Sequence, residues 1–531
     1  MKHLVALLIL LTNLQLSAQE SYGLEIEESS ISNLPGLQSF VWAQQGSKYL
    51  FIGGRTEGLH KRRPFEAFLA AGNNTMAYVF EPSTGSLTSA SLSSLGIEIF
   101  EQLQSTNMEF EQLGNELYIA GGYAYSTRAA DHITFDKMTI VDVSGLIAAI
   151  ENNQSLTSYF SQIQDSLFEV TGGYLDYMNG SFYLVGGQSF MGQYNPMGPT
   201  HGPGFVQKYT EEIRKFQIEK VGANYQLKNV QVDKDPQALH RRDYNMAPQK
   251  FPNGEMGFTA FSGVFQHQVD LPWLDVVDIT SSSYTQRNDF EQLLSQYHSA
   301  HLTMYDASDS SNKTIFFGGI AQFSMDQSGQ LIEDQDVPFV RTISQVNRNS
   351  ANELSELNHS IQMPDLLGAG AEFLPLNNSS FYDTYEMLQI DALPNERTLV
   401  GYIFGGIQST APNVFFNNAA NVSSASTRLF EVYINKSING QTELIDQSKQ
   451  SSLRVFPNPS SGKIQIQSES PNLMGGSLIR LTNIAGKLVL DEYIDFTGTV
   501  DLDLSSYPKG IYFLQVGNAD SAVSWKKVVL K

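Results

Sequence analysis

Short apolar runs that end in a pair of glycines recur along the chain and organise its sequence. Each run has about four apolar residues, rich in aromatic and β-branched side chains, which is typical of a buried strand. The glycines permit positive φ angles and a close approach of neighbouring backbone. Five runs end in Gly-Gly and a sixth in Ser-Gly, at residues 49–54, 117–122, 182–187, 314–319, 401–406 and 257–263.

The strand patterns on either side of these runs predict a repeated unit. One strand precedes each run and another follows it, as at residues 107–110 and 137–141 around the second copy. Self-similarity at this scale is typical of a repeat architecture. We therefore predict six small sheets near residues 38–95, 105–168, 172–232, 243–286, 298–358 and 369–447.

Three segments between strands carry apolar residues at helical spacing. They are residues 146–150, 156–164 and 290–294. We predict that they form helices that pack on the outside of the sheets.

A glycine pair at the end of the second strand of each unit resembles the kelch β-propeller repeat. The resemblance implies an all-β fold with a six-bladed kelch-like propeller over residues 38–447, whose blades surround a central channel. It also implies that the loops after the glycine pairs share one face, around the mouth of the channel. The chain departs from the kelch pattern in tryptophan, which occurs only at Trp42, Trp273 and Trp525.

The amino terminus has the pattern of a secretion signal. Lys2 and His3 precede a short apolar run, and Ser17 and Ala18 offer a cleavage point before Gln19. We predict a signal peptide over residues 1–18 and no transmembrane segment; the alternative is a buried amino-terminal strand. In the lead-in at 19–37, we expect residues 24–28 to pair with the last blade, and the alternative is a free extension.

The carboxyl-terminal residues 453–531 differ in character and follow a linker at 448–452. Short strands separated by Pro, Gly and Asn predict a small Ig-like β-sandwich. The succession of Phe-Pro-Asn-Pro at 456–459, Asn-Ile-Ala-Gly-Lys at 483–487 and a Lys-rich final strand resembles the type A sorting domain of the type IX secretion system. The resemblance implies the type IX machinery as a partner and export from a Gram-negative bacterium. The alternative is a structural appendage.

Composition excludes several kinds of chemistry. The 531 residues include no cysteine, which rules out disulfides, thiol catalysis and cysteine-ligated zinc. The Tyr–Cys crosslink beside copper that galactose-oxidase-like propellers use is excluded with them. The formal net charge of −22 argues against nucleic acid or an anionic membrane as a partner.

Motif searching predicts no catalytic residue, cofactor or metal site, but it does find an uneven distribution of basic residues. Arginines and histidines follow the glycine pairs in a chain with 55 acidic and 33 basic residues. Guanidinium groups pair bidentately with planar oxyanions, so the set is a candidate anion-binding site; alternatively, these side chains neutralise neighbouring carboxylates. The candidate ligand-binding residues are Arg55, His60, Arg62, Arg63, Arg128, His132, Arg241 and Arg242.

These observations predict a secreted or surface-exposed binding protein whose ligand lies on the loop face. An anionic glycan or another acidic ligand is favoured over a protein partner. One alternative is a carbohydrate-active enzyme, such as a sialic-acid epimerase, on the same face; another is a protein-binding adhesin or scaffold. Loop aromatic residues could stack on sugar rings or pack the loops together, namely Phe190, Tyr194, Phe415 and Phe416.

Overall fold

The structure is a computed structural model of an all-β protein that divides into two compact units, Met1–Ile445 and Asp446–Lys531. It describes residues 17–326, 329–377, 380–415, 417, 419, 421–445, 454–467, 475–483, 487–496, 499–517 and 524–531. The first 16 residues of the predicted signal peptide and the whole predicted linker lie outside this set. No helix within it is long and apolar enough to cross a membrane.

Six larger sheets and three two-stranded hairpins follow one another along the described part of the first unit, and their strands pair antiparallel apart from one short parallel pair in the fifth sheet. Two strands precede them, β1 (Ser17–Glu20) and β2 (Gly23–Glu28). The first sheet is β3 (Val41–Gln45), β4 (Lys48–Ile52), β5 (Met76–Glu81) and β6 (Ser86–Ser91). The second is β7 (Glu109–Leu113), β8 (Glu116–Ala120), β11 (Lys137–Asp142) and β12 (Phe160–Gln164), with the hairpin β9 (Tyr123–Ser126) and β10 (Asp131–Thr134) between β8 and β11.

The third and fourth sheets repeat this order. The third is β13 (Tyr174–Met178), β14 (Ser181–Val185), β17 (Glu212–Val221) and β18 (Asn224–Lys234), with the hairpin β15 (Gln188–Met191) and β16 (Val206–Tyr209). The fourth is β19 (Asn245–Lys250), β20 (Met256–Phe261), β21 (Val276–Ile279) and β22 (Tyr284–Arg287).

The last two sheets recruit the amino-terminal strands. The fifth contains β23 (His301–Asp306), β24 (Ser311–Ile320), β27 (Phe339–Arg348) and β28 (Leu354–Gln362), and β25 (Phe323–Met325) pairs with β26 (Leu331–Glu333) beside it. The sixth contains β29 (Leu366–Pro375), β31 (Arg397–Ser409) and β33 (Leu429–Asn435), and β32 (Ser423–Ala425) pairs with β31. β30 (Leu388–Gln389) adds to β23, and β34 (Gly440–Leu444) joins β28 to β1.

β2 is the fourth strand of the sixth sheet. It pairs antiparallel with β33 from Gly23 opposite Asn435 to Glu28 opposite Phe430. This is the pairing expected for residues 24–28. The strand β2 thus forms the outer edge of a sheet whose other strands come from the carboxyl-terminal end of the unit. An amino-terminal segment thereby ties the beginning of the unit to its end.

Each pair of consecutive sheets shares a hydrophobic cluster of buried side chains. The sixth and first sheets share one as well, in which Leu374 and Phe404 pack with Phe51 and Phe80. The rings of Phe51 and Phe404 lie 4.8 Å apart. Burial of apolar surface stabilises the unit through these six inter-sheet contacts.

A closed cycle of backbone hydrogen bonds links the starts of the six innermost strands. Each of six residues donates its N–H to the carbonyl oxygen of the one before it, and the first donates to the last, at distances of 2.7–3.3 Å. Because the cycle satisfies these backbone groups between sheets, it fixes the spacing of the sheets around a common centre. The six residues are Ser39, Asn107, Gly172, Asp243, His298 and Gly370.

The glycine pairs also connect neighbouring sheets. The second glycine donates its N–H to a carbonyl oxygen that precedes the next sheet, as from Gly54 to Ser105 at 2.9 Å and from Gly122 to Val170 at 2.9 Å. The Gly406 N–H donates a hydrogen bond to the Leu37 carbonyl oxygen, at 2.8 Å, and so connects the sixth sheet to the first. The glycines take positive φ angles, which only glycine adopts at little cost.

We expect Gly121→Ala to destabilise the protein more than Gly114→Ala. Both glycines have φ near +60° (63° and 60°), so both substitutions cost about 1–2 kcal/mol of backbone strain. At Gly121 an added Cβ would overlap the carbonyl oxygen of Val170, whereas at Gly114 it meets nothing within 4 Å. We therefore expect an additional loss of about 1–3 kcal/mol for Gly121→Ala. Equal denaturant midpoints for the two variants would contradict the inter-sheet role of the glycine pair.

Only one of the three predicted helices is present. Residues 146–150 lie in α2 (Val143–Glu151), and the remaining α-helix of the described residues is α1 (Ile97–Leu103). Residues 156–164 instead form a 3-10 turn at Thr157–Tyr159 and then β12, the outer strand of the second sheet. Residues 290–294 are not helical, and the N–H groups of Leu293 and Leu294 bind the buried carboxylate of Glu356, at 2.8 and 3.0 Å. Further 3-10 turns are at Ala70–Gly72, Leu92–Ser94, Ser166–Phe168, Pro199–His201 and Ile390–Ala392.

The second unit has two sheets around a separate core. One is β35 (Arg454–Phe456), β36 (Lys463–Gln467) and β39 (Thr499–Asp503); the other is β38 (Leu488–Phe496), β37 (Gly475–Asn483), β40 (Gly510–Gly517) and β41 (Ser524–Leu530). Ile464 and Ile466 of the first sheet pack with Ile479 and Leu481 of the second. This unit therefore contains its own hydrophobic core.

Candidate functional site

The predicted basic residues on the loop face include two fully buried arginines. Arg55 binds the carboxylate of Glu57, Asn73 Oδ1 at 2.6 Å and the carbonyl oxygen of Leu69 at 2.9 Å. Its guanidinium also lies over the ring of Phe68, at 5.4 Å. Burial lowers the pKa of Arg55, and the charge of Glu57 partly offsets this. Arg55 thus holds its own loop together.

Arg241 lies in the connection before the first strand of the fourth sheet. Its Nε donates to the carbonyl oxygen of Ala238 at 2.8 Å, and Nη1 donates to that of Ser262 at 2.7 Å. Nη2 lies 3.2 Å from Asp275 Oδ1. The side chain is completely buried, and its donors are directed at the protein interior.

Three more of the predicted arginines also have carboxylate partners, namely Arg242, Arg128 and Arg63. Arg242 binds Asp243, and Arg128 binds Glu98. Arg63 lies 3.9 Å from Glu66. Burial opposes the charged form of Arg242, but Asp243 together with Tyr209 and Tyr297 more than offsets burial and raises the pKa.

The two predicted histidines pack in an aromatic cluster. The His60 ring stacks on Phe68 at 4.6 Å and contacts Tyr194 at 4.9 Å. His132 Nε2 lies 2.9 Å from the carbonyl oxygen of Phe68. Burial lowers the pKa of His60 to about 4 and also lowers that of His132, so both rings are neutral at pH 7.

The structure brings part of the predicted anion-binding residues together, but most of their guanidinium groups already bind carboxylates of the same protein. Arg55, Arg62 and Arg242 all lie close enough to lower the pKa of His60 by repulsion. An anion site needs guanidinium groups without a carboxylate within about 4 Å, and Arg55, Arg63, Arg128, Arg241 and Arg242 do not meet this condition. An acidic ligand would have to displace those carboxylates.

Phe190 and Tyr194 pack within their own hairpin, and Phe415 packs on a strand of the fifth sheet. Phe190 stacks on Phe205 at 4.8 Å, and Tyr194 lies 5.7 Å from the same ring. Phe415 stacks on Phe339 at 5.7 Å. Phe416 lies outside the described residues.

A central cavity that the sequence did not predict is the better candidate site. Its volume is about 670 Å³, and every one of the six innermost strands lines it. The strands contribute Trp42 from β3, Glu109 from β7, Asp176 from β13, Met246 from β19, Thr303 from β23 and Glu372 from β29. The cavity therefore lies at the common centre of the six sheets.

The cavity opens at the end opposite the predicted loop face. The cycle of backbone hydrogen bonds closes the end where the innermost strands begin, and Arg55 lies at that end because it bridges to Gln38. Exposed lining residues such as Gly114 and Gly180 lie in the turns after β7 and β13, where these strands finish. The described lining of this cavity includes no residue from the loops that follow the glycine pairs, so the cavity is separate from the predicted loop face.

Carboxyl groups dominate the chemistry of the cavity. Burial raises the pKa of Glu109 to about 8, although the Gly173 N–H and the charge of Arg214 oppose it. Burial raises the pKa of Asp176 to about 7, and burial together with the charge of Asp176 raises that of Glu111. Perturbed carboxyl groups of this kind cluster at functional sites.

A histidine–carboxylate pair also lines the cavity. His298 Nε2 lies 3.3 Å from Glu372 Oε1. Burial opposes protonation of His298, but the hydrogen bond and charge of Glu372 outweigh it and raise the pKa. The described residues contain no group of three or more His, Asp or Glu side chains placed to hold a metal ion.

The comparisons with known proteins identify the second unit. Residues 454–531 match the family described as the secretion system C-terminal sorting domain. The match supports the predicted type IX sorting domain and implies a secreted or cell-surface protein. The comparison with curated proteins gives no match.

Two solved structures are similar to the chain at low identity. YjhT shares 12% identity, with a TM-score of 0.40, over 75% of this chain and 99% of YjhT. A fungal alcohol oxidase of the AA5 family, in complex with copper, shares 9% identity, with a TM-score of 0.35, over 96% of this chain and all of the oxidase. Both TM-scores are low, so neither likeness defines the fold or the activity of this chain.

Proposed function

We propose that the chain is a secreted binding protein of a Gram-negative bacterium, built on a six-bladed kelch-like β-propeller, with a saccharide as ligand in the central cavity. The observation that carries the proposal is a cavity of about 670 Å³ to which all six innermost strands contribute side chains. A cavity of this size is typical of small-molecule sites. The sorting domain accounts for export.

The propeller architecture is supported by the pairing within and between the sheets. Six sheets in chain order share six hydrophobic clusters, and the last cluster joins the sixth sheet to the first. The cycle of backbone hydrogen bonds runs through all six. Propellers manage the edges of their sheets by this kind of radial repetition.

The saccharide proposal depends on the mixture of groups in the cavity. Trp42, Tyr174 and Tyr177 offer aromatic surfaces, and Glu109 and Glu372 offer acceptors for hydroxyl groups. Apolar walls with a few polar groups are typical of specific ligand sites. The loop face offers fewer free groups, because its arginines bind carboxylates of the same protein.

The test compares the cavity with the loop face. We expect the intact protein to bind members of a neutral and amino-saccharide array, and Thr303→Met, which fills part of the cavity, to weaken that binding by at least about tenfold, or 1.4 kcal/mol. Arg63→Ala on the loop face is the matched control and should leave binding unchanged. Loss of binding in Arg63→Ala with normal binding in Thr303→Met would refute the cavity and restore the loop face.

An enzyme is the second candidate, because His298 and Glu372 form an acid–base pair within hydrogen-bond reach. A catalytic role predicts turnover of a bound saccharide, which Glu372→Gln would abolish while binding persists. Among the described lining residues there is no Lys or Arg to pair with the carboxylate of a sialic acid. The cavity therefore favours a neutral or cationic sugar as the substrate of any such reaction.

A further inference from the structure

The cavity combines many carboxyl groups with no basic side chain of Lys or Arg among its described lining residues. The only other titratable groups that accompany them there are His298, His301 and tyrosines. Carboxylates held close together in a desolvated space repel one another, and a cation placed between them relieves that repulsion. The lining carboxyl groups are Glu109, Glu111, Asp176, Glu372 and Glu386.

Two residues that line the cavity each carry a buried polar atom without a hydrogen-bond partner among the described residues. Glu109 is 3% exposed; its Oε1 accepts from the Gly173 N–H at 2.7 Å, but Oε2 has no hydrogen-bond partner among the described residues. Thr303 is 4% exposed, and its Oγ1 is likewise unpartnered in the described part of the chain. A buried polar atom without a partner destabilises the protein, and a hydrogen-bond donor of a ligand would relieve that cost.

Aromatic rings complete the surroundings of these carboxyl groups. Tyr174 and Tyr177 lie on β13 beside Asp176, and Trp42 lies on β3. The faces of such rings attract ammonium groups. Carboxylates and aromatic faces together form a site that suits a cation attached to a sugar-sized body.

We propose that the cavity binds a saccharide that carries a free, positively charged amino group, with the ammonium placed beside the carboxyl group of Glu109. The proposal rests on the proposed saccharide-binding function and specifies its ligand class. An ammonium group has three donors and no acceptor, which matches a wall that offers acceptors. An N-acetylated amine is neutral, and so is a hydroxyl group at the same position of the sugar. Neither can therefore replace the charge of the ammonium group.

Proton release accompanies binding in this arrangement. Burial raises the pKa of Glu109 to about 8, so in the empty cavity its carboxyl group is protonated at pH 6. An ammonium group beside it stabilises the ionised form and lowers that pKa. The other charged groups that act on Glu109 are Arg214, which opposes protonation, and Asp243, which favours it. Binding of the amine at pH 6 therefore releases a proton, and binding of a neutral sugar does not.

The experiment titrates the full chain with three trisaccharides of the same backbone: the β-1,4-glucosamine trisaccharide, its fully N-acetylated form and cellotriose. We expect the amine to bind at least tenfold more tightly than either neutral form, and calorimetry in buffers of different ionisation heat to show proton release for the amine alone. Glu109→Gln keeps an oxygen acceptor for Gly173 but loses the charge, and it should remove both differences. Glu219→Gln, at an exposed carboxylate, is the matched control and should remove neither.

Equal affinity for the three sugars, or no binding of the amine, overturns the ammonium proposal. A preference for the amine that survives in Glu109→Gln overturns the role of Glu109. If the neutral sugars bind equally and Thr303→Met weakens them, the proposed function stands without the ammonium. If Glu109→Gln fails to fold, as judged by its melting temperature, the calorimetry on the unaltered chain decides, and an amine that binds without proton release overturns the role of Glu109.

Discussion

Replacing Arg241 with alanine is expected to lower the free energy of unfolding by about 3–5 kcal/mol. The side chain is completely buried and has carbonyl oxygens of Ala238 and Ser262 and the carboxylate of Asp275 as partners. Its removal leaves Asp275 without its cation and two carbonyl oxygens without their donor, and it leaves a cavity beside Trp273, over which the guanidinium lies at 5.4 Å. Chemical denaturation of the variant measures this loss.

Two matched variants separate the structural role of Arg241 from a role in binding. Arg63→Ala removes an exposed arginine with a single distant partner at 3.9 Å and should cost at most about 1 kcal/mol. Arg241→Lys keeps the charge but cannot reproduce the forked donors, so its stability should fall between wild type and Arg241→Ala. If Arg241→Ala were as stable as Arg63→Ala and lost affinity for an acidic ligand, the original anion-site interpretation would hold.

The order of the sheets could be predicted from the sequence because its signals are local. An apolar run and its glycine pair lie within six residues, and both features retain their meaning wherever the sheet is placed. The pairing of residues 24–28 with the sixth sheet was also accessible, because a repeated ring has to join its two ends. The errors arose where tertiary pairing decides: residues 160–164 carry apolar side chains at helical spacing, yet they pair as an outer strand with β11.

The candidate site was harder to predict, because its residues meet only at the centre of the sheets. Glu109, Asp176 and Glu372 belong to the second, third and sixth sheets, and no spacing in the sequence links them. A weak signal was present: acidic residues occupy the alternate positions Glu109 and Glu111 of an innermost strand. The arginines gave a stronger signal that was misleading, because a partner such as Asp275 is 34 residues from Arg241.

Removing residues 454–531 is expected to stop secretion while leaving the first unit folded. The two units are compact, and the second has a core of its own, formed by residues such as Ile466 and Leu481. The first unit should then change its melting temperature by less than about 2 °C, the shift that roughly 1 kcal/mol causes in a large domain. Because residues 454–531 match a sorting domain, the truncated chain should accumulate inside the cell, which immunoblots of cell and medium fractions would show.

A fusion protein tests whether residues 454–531 are sufficient for secretion, whereas the truncation tests whether they are necessary. Attached to an unrelated folded reporter with a signal peptide, residues 454–531 should direct that reporter to the cell surface or medium of a host that has the type IX machinery, and a host without the machinery should retain it. Normal secretion of the truncated chain would refute the sorting role. A truncated chain that is retained but melts many degrees lower would instead show that the second unit stabilises the first, and retention would then follow from misfolding rather than from a missing signal.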